Sequence, residues 1–159
     1  MSSLLVASLF LLGFTGSLLW FFKANVGIMF LAACSGLVLL SSIDPVVITT
    51  AGSVVPSEGE AYVRLSVVLL SVVFASMMFR NSVHGSKLVL HGLIAALLAL
   101  VLLLVLPETT GVSWLVEATN EELWQDINEF RSLILASGFA LSLVAVLTTQ
   151  KKPHKKSKH

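Results

Sequence analysis

The residues closest to forming a reactive site are His84, Lys87 and His91, which share one helical face, and Arg64, a charge inside an apolar stretch. Two histidines seven residues apart on a helix lie about 10.5 Å from each other, too far to share one metal ion. Lys87 between them repels a cation. Histidine titrates near neutral pH, so pH sensing is the chemistry left to His84 or His91. Polar residues at a membrane boundary are the simpler reading of all three. Arg64 follows Glu60 by four residues, the favoured order for a helical ion pair. The stretches around it hold no carboxylate in their interiors, whereas ion-coupled carriers keep an ionisable group within the membrane. Thr15, Asn25, Ser35, Ser66 and Ser71 could line a path for an uncharged substrate, although such groups usually serve helix packing. No nucleophile, base or metal set emerges, so the sequence predicts no catalytic residue, no cofactor, no metal and no enzyme. Cys34 is the single cysteine and forms no intrachain disulfide.

Composition explains why chemistry is so sparse. Of 159 residues, 56% are hydrophobic and only 12% charged, with a mean hydropathy of +0.93. A soluble domain carries about 25% charge to solvate its surface, so most of this surface faces lipid.

Five apolar stretches follow, at about 4–22, 26–43, 62–79, 88–106 and 132–150. At 18 or 19 residues each, they reach about 27–29 Å as helices, close to a bilayer core of roughly 30 Å. Span three is rich in β-branched residues, but a lone strand cannot satisfy its backbone in lipid. The first stretch lacks a basic leader, and Phe22-Lys23-Ala24 is a poor cleavage site, so it reads as a retained span. The link Lys23-Ala24-Asn25 predicts a tight antiparallel hairpin of spans one and two. The expected fold is therefore an all-α integral membrane protein, a bundle of five transmembrane helices over 1–150 with an outer amphipathic helix, followed by a basic tail over 151–159.

Charge orients the bundle. All nine acids lie between 44 and 60 or between 108 and 129, and most bases lie in the other gaps. Lys151, Lys152, Lys155, Lys156 and Lys158 place the C-terminus in the cytoplasm by the positive-inside rule. Counting back puts the Arg80–Lys87 loop and Lys23 inside and the N-terminus outside, as in a bacterial plasma membrane. The same five lysines are candidates for anionic-lipid binding. Nucleic acid is not expected as a partner.

Two outer segments are more than turns. Pro45 ends span two, and 46–55 is apolar but too short to cross, so it lies in the interface or dips in as a re-entrant segment. Pro107 ends span four. Thr119-Asn120-Glu121-Glu122 fits a capping box with Thr119 as N-cap, opening an amphipathic acidic helix over about 119–131 that runs on into span five. Its Leu123, Ile127 and Phe130 recur at helical spacing, with Trp124 alongside. With Trp114 these form a candidate docking face, or they rest on the bundle itself. Trp114 and Trp124 also suit an interfacial belt. Small-residue patterns, Gly92-x-x-x-Ala96 and Ala136-x-x-x-Ala140, suit close helix packing within one chain or between copies.

In size and span count the chain is similar to the colicin V production family of small bacterial membrane proteins, although Leu4–Gly36 lacks a charged, glycine-arginine first hairpin. Its basic cytoplasmic tail and outside N-terminus resemble some phage holins, which are usually shorter. These resemblances imply a small pore or transporter for an uncharged or lipid-like substrate. The residues themselves favour a structural or accessory assembly component without its own catalysis, joined to a membrane-protein partner or to further copies of itself.

Overall fold

A computed structural model describes residues 2–54, 58–82 and 88–149. The described residues are 86% helical, with no strands among them. The helices are α1 (Ser3–Phe22), α2 (Val26–Ser42), α3 (Pro45–Gly52), α4 (Gly59–Met78), α5 (Leu88–Thr110), α6 (Ser113–Ala118), α7 (Glu122–Glu129) and α8 (Arg131–Thr149). Four of them are long and apolar enough to cross a membrane, or five if α2 and α3 count as one broken span. The tail lysines 151–158, together with His84 and Lys87, lie outside the described residues.

α5 is the central element. Two thirds (67%) of its apolar window is buried, against 28% for α1, 33% for α4 and 17% for α8. It packs against α1, α2, α4 and α8, while α2 and α4 form the most extensive pair. An apolar helix buried nearly all round marks the core of such a bundle. From Val101 to Leu106 every side chain of α5 is buried. The outward faces of α1, α4 and α8 carry Leu9, Leu70, Phe74, Leu133 and Leu147, all exposed.

Local chemistry sets the ends. Asn25 caps α2, its Oδ1 accepting the Gly27 N–H at 2.9 Å. Asp44 caps α3 through the Val46 N–H at 2.9 Å, with Pro45 in the first turn, where its missing N–H costs nothing. α3 leaves α2 at 98° and folds back on α4. The backbones of Gly52 and Gly59 meet so closely that a Cβ on Gly52 would come within 2.7 Å of the Glu60 nitrogen.

Several sequence expectations are corrected. Pro107 does not end its helix; α5 continues to Thr110 and stops at Gly111, whose φ of 72° suits glycine. The 119–131 segment is not one helix running into span five. α6 ends at Ala118, α7 covers Glu122–Glu129, and α8 begins at Arg131 after a break at Phe130. Spans one and two do not form a hairpin. Their three-residue link turns through Lys23 at φ 48°, after which α1 packs on α5 and α2 packs on α4 and α8.

Candidate functional site

Polar groups gather at the two ends of the bundle. At one end lie all nine acids, brought together from two parts of the chain, 44–60 and 108–129. Glu121 turns its carboxylate onto the start of α1. It accepts the Leu4 N–H at 2.9 Å and the Ser3 hydroxyl at 3.2 Å, and the Ser2 hydroxyl also donates to it. A carboxylate at a helix N-terminus meets unpaired N–H groups and the positive end of the helix dipole. These donors, the Leu4 N–H first and the Ser2 hydroxyl next, hold the Glu121 carboxyl below its usual range. Glu58 accepts the Ser113 N–H at 3.3 Å. Arg131 binds both Glu108 oxygens, at 2.9 and 2.7 Å, tying the end of α5 to the start of α8. Because both partners are part-exposed, that pair contributes at most about 1 kcal/mol.

The expected capping box is absent for a physical reason. Glu121, not Thr119, is the N-cap residue of α7, and its side chain is engaged by three donors at the start of α1, from its cap Ser2 and from Ser3 and Leu4. Thr119 instead bonds back to the Val116 carbonyl at 2.8 Å. Nor do Glu60 and Arg64 pair: the one ion pair among the described residues is Arg131–Glu108. Arg64 is half-buried with its Nε withdrawn from solvent, while Glu60 is exposed.

The candidate docking residues separate into two sets. Trp114 is half-buried and meets Phe10 edge to face at 5.6 Å and 81°. Phe10 lies about two turns into α1, so α6 inserts against the bundle and does not merely rest on its rim. Trp124 is buried and Ile127 half-buried, whereas Leu123 and Phe130 are both 59% exposed. The inward face of α7 thus centres on Trp124, not on the Leu123–Ile127–Phe130 row. Leu123, Phe130 and the nearby Leu133 are left outward, beside the exposed acids Glu122, Asp126 and Glu129.

At the opposite end the described charges are Lys23 and Arg80, both exposed. Asn25 organises this end. It is fully buried, its N–H donates to the Ser82 hydroxyl at 2.7 Å, and its Nδ2 donates to the Ala145 carbonyl on α8 at 3.3 Å. The Asn81 N–H donates to the Phe22 carbonyl at 2.8 Å. One asparagine thus links α2, α8 and the segment after α4. An asparagine just before an apolar helical run is a recognisable cap signal, but its reach to α8 depends on packing.

The polar residues considered as a pathway lining do not converge. Thr15 and Ser35 bond to carbonyls one turn back in their own helices, Ser71 bridges to the Ala32 carbonyl across the α2–α4 contact at 3.0 Å, and Ser66 is exposed. His91 is buried in α5. Among the described residues no cluster of three or more His, Cys, Asp or Glu is placed to hold a metal ion. No protein-family model, curated protein or solved structure matches the chain.

Proposed function

We propose that this chain is an integral membrane protein of five spans, with its acidic end and N-terminus outside and its C-terminus in the cytoplasm, acting as a structural or accessory component of a membrane assembly without catalysis of its own. The observation that carries this reading is the sorting of charge along an apolar bundle. The nine acids stand at one end, and Lys23, Arg80 and the chain leading to the lysine tail stand at the other. Such sorting is the mark of an oriented membrane protein. α3, bent 98° from α2, suits an interfacial position with Val46 and Val47 turned outward.

The accessory role rests on the acidic cap. α6 and α7 are anchored through Trp114, Trp124 and Glu121, and they present Leu123, Phe130 and Leu133 with acids alongside. An apolar patch rimmed by charge on a rigid support suits a membrane-protein partner. A photo-crosslinker placed at Leu123 or Phe130 should give one discrete protein adduct in native membranes, and purified protein in liposomes should pass neither protons nor small solutes. Lipid adducts alone would reassign the patch to the bilayer. Reproducible conductance would favour a pore.

A further inference from the structure

Arg64 is the unpaired base of the acidic end. The other base there, Arg131, is held by Glu108. Among the described residues no hydrogen bond or ion pair reaches the Arg64 guanidinium, and its Nε is sealed from solvent without an acceptor. The packing of α4 shows where it stands. Ser71 donates to the Ala32 carbonyl of α2 at 3.0 Å, and Val68 lies where Gly36 of α2 comes closest. Arg64 precedes Val68 by four residues and Ser71 by seven, so it shares their face of the helix. The side chain therefore starts on the α2 side of α4, and it is half-buried. A guanidinium carries five N–H donors in a rigid fork. Half-buried without an acceptor, it keeps a desolvation cost that an anion would offset.

We propose that Arg64 binds the phosphodiester of an outer-leaflet phospholipid, its fork donating to two phosphate oxygens. The proposal rests on the five-span reading. Depth fits it: Arg64 lies two residues inside the apolar stretch that begins at 62, about 3 Å along the helix, and an arginine so near the rim reaches the headgroup level. Tyr62, 40% exposed, stands two residues before it, and tyrosine collects at that level. Paired N–H···O bonds to phosphate are the geometry that arginine supplies and lysine does not. Charge selects the source of the phosphate. A dissolved phosphate must approach past exposed Glu58 and Glu60 at an end that holds all nine acids, which repel it. A lipid phosphate is held at this depth by its own acyl chains.

The test is carbon–phosphorus dipolar dephasing in solid-state NMR of the full chain, isotopically labelled at the arginine guanidino carbon. R80K removes the label from the opposite end and leaves Arg64 and Arg131. In phosphatidylglycerol bilayers and phosphate-free buffer, one of the two arginine signals should dephase at contact range. R64Q in the same background should abolish that dephasing, and R64K serves the same assignment where R64Q does not fold. In galactolipid bilayers with added inorganic phosphate, neither signal should dephase. No dephasing in the phospholipid bilayer overturns the proposal. So does dephasing that survives R64Q or R64K, which would belong to Arg131. Dephasing by inorganic phosphate would give the site to dissolved anions and overturn the lipid assignment. Full solubility of the protein without detergent would instead overturn the membrane reading itself.

Discussion

Replacing Asn25 by alanine tests how the basic end is held together. The side chain is buried at 1% exposure and does two jobs at once. Its Oδ1 caps α2 through the Gly27 N–H, and its Nδ2 reaches the Ala145 carbonyl on α8. Losing an N-cap costs about 1 kcal/mol, and losing a buried hydrogen bond costs about another 1 kcal/mol. The Ala145 carbonyl keeps a donor in the Thr148 hydroxyl, so the second loss stays near that lower bound. The space left by the amide adds up to roughly 1 kcal/mol where neighbours cannot collapse. Asn25→Ala should therefore cost about 2–3 kcal/mol, a Tm fall of about 5–10 °C for a chain of this size. Asn25→Ser keeps a capping oxygen but cannot reach α8, and should cost about half as much. Cys34 is the single, partly buried cysteine, so a fluorogenic thiol dye reports unfolding in detergent without further engineering. An unchanged Tm for Asn25→Ala, or a serine variant as damaged as the alanine one, would refute the two-part account.

The acidic end should show a pH dependence of definite sign. The Glu121 carboxyl is lowered from 4.5 in the fold by the Leu4 N–H and the Ser2 hydroxyl, so its contribution is complete above about 4.5 and is lost as pH falls through the lowered value. Glu121→Gln should remove that part of the acid sensitivity and loosen the start of α1, read as faster hydrogen exchange at Leu4 to Val6. Equal acid sensitivity in parent and variant would contradict it. Glycines should divide by surroundings: a Cβ at Gly138 would stand 2.7 Å from the buried Phe30 ring, whereas Gly13 has open space around it. Gly138→Leu should cost about 1–3 kcal/mol by overpacking, while Gly13→Ala should be neutral or gain up to about 1 kcal/mol. Thermal unfolding of the two variants side by side checks that order. Cysteine labelling after replacement of Cys34 should modify positions 123, 126 and 129 readily and position 124 poorly; uniform labelling would mean that α7 does not dock.

The long helices were legible because apolar length is written along the chain. Expected starts at 4, 26, 88 and 132 fall within a residue of the observed Ser3, Val26, Leu88 and Arg131. α4 begins three residues earlier than expected, at Gly59, because the close approach of Gly52 and Gly59 lets the helix start among acids. What was not legible depends on contacts between distant segments. Glu121 looked like part of a local capping box, yet the donors at the start of α1 claim it. Spacing alone placed Leu123 and Phe130 inward, but α7 is only eight residues long and rotates to bury Trp124. Arg64 and Glu60 had the right separation for a pair, yet Glu60 stays exposed, Arg64 is half-buried, and no ion pair forms between them. The candidate docking patch was therefore legible as a segment and not as a face.

The central claim is that charge sorts the two ends of this bundle to opposite sides of a membrane. Reporter fusions active only in the cytoplasm or only outside it, placed after residues 24, 56, 84, 115 and 159, measure that directly. Fusions at 24, 84 and 159 should read cytoplasmic, and those at 56 and 115 should read external. A cytoplasmic reading at 56 or 115 would contradict the account.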